Sequence, residues 1–327
     1  MRYRPLGSTG LEVSEVSFGA WAIGGSWGAV DDGASREALH RAIDRGVNFI
    51  DTADVYGDGR SERLIGEVLS SRRERVLVAT KAGRRLNPHE ARGYTLENLR
   101  RFVDRSRENL RTPALDLLQL HCPPSEVYRD DRVFDALDTL VSEGRIARYG
   151  VSVETCDEAL EVLATRPRVA SLQIILNALR LKPLARVLPE ARARGVGILA
   201  RVPLASGLLT GKIARDAVFA PDDHRAFNRH GEAFDVGETF SGVPLEAAFE
   251  AVDALREVLG PGDSMARFAL AWCLAQPGVS CVIPGARSAA QVDENVGAMD
   301  FTITDEQRER VRAVYERVVA PHVAHRW

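Results

Sequence analysis

The chain reads as α/β: a (β/α)8 barrel with an N-terminal hairpin and a long loop after strand seven. Three observations predict it. Eight short apolar, strand-like runs alternate with helical stretches. The runs are apolar on both faces, as parallel strands covered by helices are. No Pro/Gly/Ser-rich linker interrupts the alternation, so residues 1–327 are expected to form one domain. A doubly wound open sheet is the competing architecture. It would carry a glycine-rich dinucleotide fingerprint after an early strand, and the glycines of GAWAIGGSWG lack the GxGxxG spacing.

The elements follow in order. Residues 2–13 hold GSTG between two short segments and predict a hairpin. Strand-like VSFGAWAI (16–23) precedes a helix around 35–45, and VNFID (47–51) one around 61–70. RVLVATK (75–81) leads to a helix over 95–110, DLLQLH (116–121) to one over 130–143, and IARYGVSV (146–153) to one over 156–165. VASLQII (169–175) is followed by a helix near 183–194, GVGILARVPL (195–204) by one near 264–275, and GVSCVIPG (278–285) by one over 288–298. A last helix is predicted over 305–319, before an APHVAHRW tail that either packs near the site or frays. The interval 205–245 mixes polar and aromatic residues with little helical period, which makes it either mobile surface or a lid over a bound ligand.

Composition narrows the partner classes. At 327 residues, with 45% hydrophobic and 27% charged content, the chain can bury a large core. Its 43 basic and 46 acidic residues leave a net charge of -3, no long-range field that would draw nucleic acid or an anionic membrane. The opening MRYRPLGSTGLEVSEV lacks the apolar segment of a signal peptide, and FALAWCLA (268–275) is too short to span a bilayer. The expected setting is cytoplasmic, with no nucleic-acid or membrane partner. Cys122, Cys156, Cys273 and Cys281 are widely spaced without a CxxC pair and read as buried thiols, not as disulfides or metal ligands.

Candidate chemistry sits at the strand ends. Asp51 and Tyr56 follow VNFI in DTADVYG, Lys81 follows RVLVAT, and His121 follows LDLLQL. On neighbouring parallel strands these ends put an acid, a phenol, an ammonium and an imidazole around one mouth, which is equipment for moving a proton to or from an oxygen. Lys81 is expected to ease proton release from Tyr56, Asp51 to keep Lys81 charged, and His121 to orient a substrate carbonyl. A structural Asp51–Lys81 ion pair with Tyr56 as a loop aromatic is the alternative. Trp21, Trp27, Tyr56, Phe227 and Trp327 offer flat walls for a substrate pocket. Asp54 reads as a contact for a sugar hydroxyl or as a turn cap.

The motifs DTADVYG, VATK and DLLQLHCP resemble, in order and on successive strands, the catalytic segments of the aldo-keto reductase superfamily. The resemblance runs from YRPLGSTGLEVSEVSFGAW to VIPGARSAAQVDENVGAM, nearly the full chain. It implies reversible hydride transfer between a nicotinamide and an aldehyde or ketone, with Tyr56 as proton donor, His121 setting geometry, Lys81 and Asp51 assisting, and no metal. It also implies a cofactor site. Ser152 and Gln173 would hold the nicotinamide carboxamide. The segment with Pro203, Leu204, Ser206, Gly207, Leu208 and Lys212 would embrace the pyrophosphate. Gly285, Ala286, Arg287, Gln291 and Asn295 would hold the adenosine end. Arg287 is suited to a 2′-phosphate, so NADP(H) is expected ahead of NAD(H).

Two departures from the family pattern bear on the site. Arg201 and Val202 stand where an aromatic segment like AYSPL is frequent, so Arg201 either lies flat on the nicotinamide or turns toward an anionic group. Val153 replaces a frequent asparagine. Beside the reductase, two further functions are open: a dinucleotide-binding regulatory or redox-sensing subunit with little turnover, and a barrel enzyme of another class such as an isomerase or aldolase.

Overall fold

A computed structural model of the protein describes residues 1–327 apart from Ser26 and Ala29. Strands β1 (Tyr3–Pro5) and β2 (Glu12–Ser14) pair antiparallel, Tyr3 opposite Ser14. Leu6 N–H donates to the Leu11 carbonyl at 2.8 Å across the turn, and Ser8 N–H donates to the Gly195 carbonyl at 2.7 Å. Gly7 lies against that same carbonyl: at φ +54°, an added Cβ would stand 2.2 Å from the oxygen. A glycine is needed for so close an approach. The hairpin thereby delivers Leu6 and Val13 onto Phe49, Leu77, Leu117, Leu199 and Cys281, forming an apolar floor under the barrel.

Eight parallel strands follow: β3 (Phe18–Gly19), β4 (Phe49–Asp51), β5 (Leu77–Ala82), β6 (Leu117–His121), β7 (Tyr149–Ser152), β8 (Ser171–Ile175), β9 (Gly197–Arg201) and β10 (Val279–Val282). Each pairs with its neighbour in chain order, and parallel bridges from Val16 to Val282 and Gly19 to Gly285 close the ring. The predicted helices are Asp32–Asp44, Arg60–Ser70, Leu96–Leu110, Asp131–Ser142, Cys156–Thr165, Val187–Ala193, Met265–Leu274 and Ala289–Val296. Local chemistry fixes many of their starts. Asp31, Thr95, Asp130, Thr155, Ser264 and Ser288 each accept a backbone N–H from the first turn, caps worth about 1 kcal/mol apiece.

Three stretches differ from the sequence expectation. Residues 16–23 do not continue as a strand: pairing ends at Gly19, and Trp21–Gly24 forms a helical turn. Gly24 packs so tightly on Tyr56 that an added Cβ would lie 2.6 Å from the tyrosine Cβ, so this segment folds over the site. After the strap of residues 205–244 comes an unanticipated helix, Leu245–Leu259, which buries Ala248, Ala251, Val252 and Leu255. The last helix, Asp305–Val314, continues through a wide turn, Tyr315–Val319, into Ala320–Val323. All four cysteines are buried thiols. Among the described residues no helix is long and apolar enough to cross a membrane.

Candidate active site

The barrel sets the site through its strand ends. Asp51, His121, Ser152 and Arg201 are the last residues of β4, β6, β7 and β9, and Lys81 is next to last in β5. Asp51, Tyr56 and His121 line one cavity of about 570 Å³, and Lys81 is buried behind them. Lys81 Nζ donates to Asp51 Oδ1 at 2.5 Å and to the Thr52 carbonyl at 2.9 Å, and stands 3.5 Å from Tyr56 Oη. The other carboxylate oxygen, Asp51 Oδ2, accepts from Gln173 Nε2 at 2.7 Å and Gln119 Nε2 at 3.1 Å. Both oxygens of the buried acid are therefore held, as a charge removed from water requires.

The electrostatics assign protons. Burial alone would strip Lys81, but Asp51 and Tyr56 outweigh it and raise its pKa, so it is an ammonium. Burial raises the Tyr56 phenol above its ordinary value, more than Lys81 draws it down. Lys81 does pull the phenol down, in the expected direction, but in the protein alone desolvation outweighs that pull and Tyr56 is protonated at neutral pH. Burial, then the cations Arg84, Lys81 and Arg201, hold the His121 imidazole well below its usual range. It is neutral, with Nδ1 buried and unbonded. A protonated phenol and a neutral imidazole, with rings 6.0 Å apart, face one cavity.

The sequence model of the aldo/keto reductase family matches residues 15–316. The chain belongs to the aldo/keto reductase family. Aldo-keto reductase YhdN of Bacillus subtilis is 30% identical over 99% of this chain and 96% of its own length. The structure of a glycerol dehydrogenase from Gluconobacter oxydans is 30% identical, covers 98% of this chain and 96% of its own, and superposes with a TM-score of 0.79. An aldo/keto reductase from Klebsiella pneumoniae, solved in complex with NADP and acetate, shares the fold with a TM-score of 0.72 at 22% identity, covering 96% of both chains.

Most of the other residues expected in an aldo/keto reductase cofactor site line the same cavity. Ser152, Gln173, Arg201, Pro203 and Leu204 do so near the strand ends, Ser206, Gly207 and Lys212 along the next segment, and Gly285, Ala286, Arg287, Gln291 and Asn295 at the far end. Leu208 does not. Ser206 and Gly207 take left-handed backbone (φ 55° and 97°), which turns the chain so that Leu208 enters the hydrophobic core. Gln291 Oε1 accepts from Arg287 N–H at 2.7 Å, and Asn295 Nδ2 donates to the Gly285 carbonyl at 3.2 Å, so both amides brace the loop that carries them. Arg287 Nη1 donates to the Trp27 carbonyl at 2.9 Å.

The strap crosses the mouth. Trp27 pairs antiparallel with Asp223, and His224 lies 4.6 Å from the Trp21 ring and 4.3 Å from Trp27. Arg225, which lines the cavity, grips both oxygens of Asp223. Ser206 Oγ donates to the Glu238 carbonyl at 2.9 Å and accepts from Phe240 N–H at 3.1 Å, pinning the far end of the strap. Arg201 is aimed at the strap: Nη1 lies 3.3 Å from Glu238 Oε1, while Nη2 donates to the Val153 carbonyl at 3.1 Å.

Three pocket expectations are corrected. Phe227 packs on Phe234 outside the lining. Trp327 braces the strap from behind, its Nε1 donating to Asp235 at 3.0 Å beneath the Arg180 guanidinium, because the tail packs instead of fraying. Asp54 lies outside this cavity's lining: it is fully buried with no side-chain hydrogen-bond partner, and burial, then Glu62, push it up to about 8 against the pull of Arg85 and Arg105. The sequence reading missed Glu238, Arg225, Thr210 and Ile213 on the strap, Glu294 at the far end, and Gln119 beneath Asp51. Gln119 had a signal, since it stands two residues before His121 on one strand face. The strap residues had none, because no period orders that interval.

Proposed function

We propose that this aldo/keto reductase reduces an aldehyde or ketone to the alcohol, reversibly, with NADP(H) as hydride carrier and Tyr56 as proton donor. The observation that carries this reading is the placement of Tyr56 Oη 3.5 Å from an ammonium that is itself locked to Asp51, beside a neutral His121, in one cavity. The reduced nicotinamide, when bound, supplies a hydride to the carbonyl carbon. Tyr56 gives its proton to the carbonyl oxygen as negative charge develops there, and Lys81 stabilises the phenolate that remains. His121 donates a hydrogen bond to the same oxygen and fixes its direction. In the reverse direction the phenolate takes the alcohol proton.

The lining fits a dinucleotide. Ser152 and Gln173 offer polar groups beside Tyr56 for the carboxamide, and the left-handed Ser206–Gly207 turn with Lys212 suits a pyrophosphate. Arg287, half-buried at the far end, suits a 2′-phosphate, which favours NADP(H) over NAD(H). The test is NADPH fluorescence on titration into the purified protein, continued with a panel of small aldehydes, ketones and sugars. Binding followed by substrate-dependent oxidation is expected. Binding without oxidation across the panel favours the regulatory subunit, and absence of binding overturns the cofactor assignment.

A further inference from the structure

One wall of the cavity beside Tyr56 and His121 is ionic, and the reaction above does not use it. Arg84, two residues past β5, places Nη2 2.9 Å from Glu238 Oε1 and 3.1 Å from Glu154 Oε1. Arg201, at the end of β9, places Nη1 3.3 Å from the same Glu238 oxygen. Two guanidiniums thus converge on one carboxylate, and the strap delivers that carboxylate. Glu238 and Arg201 both line the cavity, at 6% and 7% exposure. The charges of Glu238 and Arg84 are felt at Tyr56, and those of Arg84 and Arg201 at His121, so the cluster flanks the proton donor.

Glu238 is an anion held in place. Burial would raise its pKa, but Arg84 and Arg201 overcome this and bring it down to about 2. Its carbonyl is fixed by Ser206, and Trp327 is wedged behind the strap, where an added Cβ on Gly237 or Gly242 would lie 2.9 or 2.4 Å from the indole. Both guanidiniums approach Oε1. The same cavity is lined by Trp21 and Tyr56, stacked at 6.2 Å, with Trp27 edge-on to Trp21.

Resting on the reductase reading, we infer that Glu238 is a specificity-determining residue: its carboxylate fills the place between Arg84 and Arg201 that a substrate carboxylate would take. The cavity therefore accepts small neutral aldehydes and ketones bearing hydroxyls and refuses aldehyde acids and keto acids. An acidic substrate would meet a fixed like charge, with both matching cations already engaged. A hydroxyl can donate to the Glu238 carboxylate, while aromatic rings of the same cavity cover its carbon skeleton.

Glycolaldehyde and glyoxylate test this, being alike in size and differing in charge. The parent should prefer glycolaldehyde, and Glu238→Gln should move the kcat/KM ratio toward glyoxylate by at least about tenfold. An unmoved ratio overturns the inference. A second variant gives a readout without turnover. Glu238→Ala leaves the guanidiniums around an open space, so millimolar glycolate should raise its melting temperature and leave the parent's unchanged. If glycolate stabilises the parent equally, the inference fails. Should neither aldehyde oxidise NADPH in the parent, that failure bears on the reductase reading and is judged with the wider panel, while glycolate rescue confined to Glu238→Ala still upholds Glu238 as occupant of the carboxylate position and its absence overturns it.

Discussion

Replacing Lys81 by Met removes the cation from a pair whose atoms stand 2.5 Å apart with both side chains almost wholly out of solvent. At an effective dielectric of about 20 the gross attraction at that distance is roughly 6–7 kcal/mol, most of it offset by the desolvation of two charges. Breaking the pair from one side leaves Asp51 as a buried carboxylate held by Gln119 and Gln173 alone, and should cost about 3–5 kcal/mol. Asp51→Asn should cost a similar amount by leaving a buried ammonium. The double variant should cost less than the two together, with a coupling of roughly 2–3 kcal/mol, because neither charge is then stranded. Urea unfolding of all four proteins measures the cycle. The pair's contribution is complete below the unfolded lysine value of 10.5 and is lost only as pH rises through the higher folded one, so the coupling should be flat across neutral pH. Additive costs, or a coupling that vanishes between pH 6 and 8, would refute the claim that Lys81 is a charged partner of Asp51.

Tyr56→Phe should lower the chemical step by about 10²–10⁴-fold while leaving NADPH affinity nearly unchanged, read by single-turnover kinetics beside fluorescence titration; near-parental rates would remove Tyr56 as the acid. Arg287→Ala should raise the Michaelis constant for NADPH far more than for NADH, and equal effects would unseat the 2′-phosphate assignment. Asp54 makes stability depend on pH in the opposite sense to a salt-bridged carboxylate. Its folded pKa of about 8 stands above the unfolded 3.8, so folding retains a proton that the unfolded chain releases, and stability falls as pH rises between those values. Asp54→Asn should flatten that slope in melting-temperature scans, and an unaltered slope would show that Asp54 does not titrate there.

Three of the four residues were legible because each ends an apolar run, and the barrel converts a run's end into a place on the mouth: Asp51, Lys81 and His121 needed only the alternation of strands and helices, and Tyr56 follows in the loop after the first of these strands. The hairpin was legible in GSTG, though its role as a floor depends on Gly7 meeting Gly195, a contact made across the chain. Helix Leu245–Leu259 carries a readable spacing of Ala248, Ala251, Val252 and Leu255, but it went unassigned because it is an extra element outside the strand-then-helix alternation. Glu238 had no local signature at all; its partner Arg84 lies 154 residues away. The raised pKa of Tyr56 was equally out of reach, since residue kinds reveal a neighbouring ammonium but not how much water the fold removes.

The apolar floor has one more consequence. Leu6, Val13, Phe49, Leu77, Leu117, Leu199 and Cys281 close the hairpin end of the barrel with apolar side chains, whereas the cavity that Asp51 and Tyr56 line lies at the strand ends. On the proposed mechanism, a proton that Tyr56 spends is replaced through the mouth that admits the substrate and lies under the strap. Reloading of the acid and departure of the product thus share one doorway, and the order in which they pass is a property of the doorway's traffic rather than of the tyrosine.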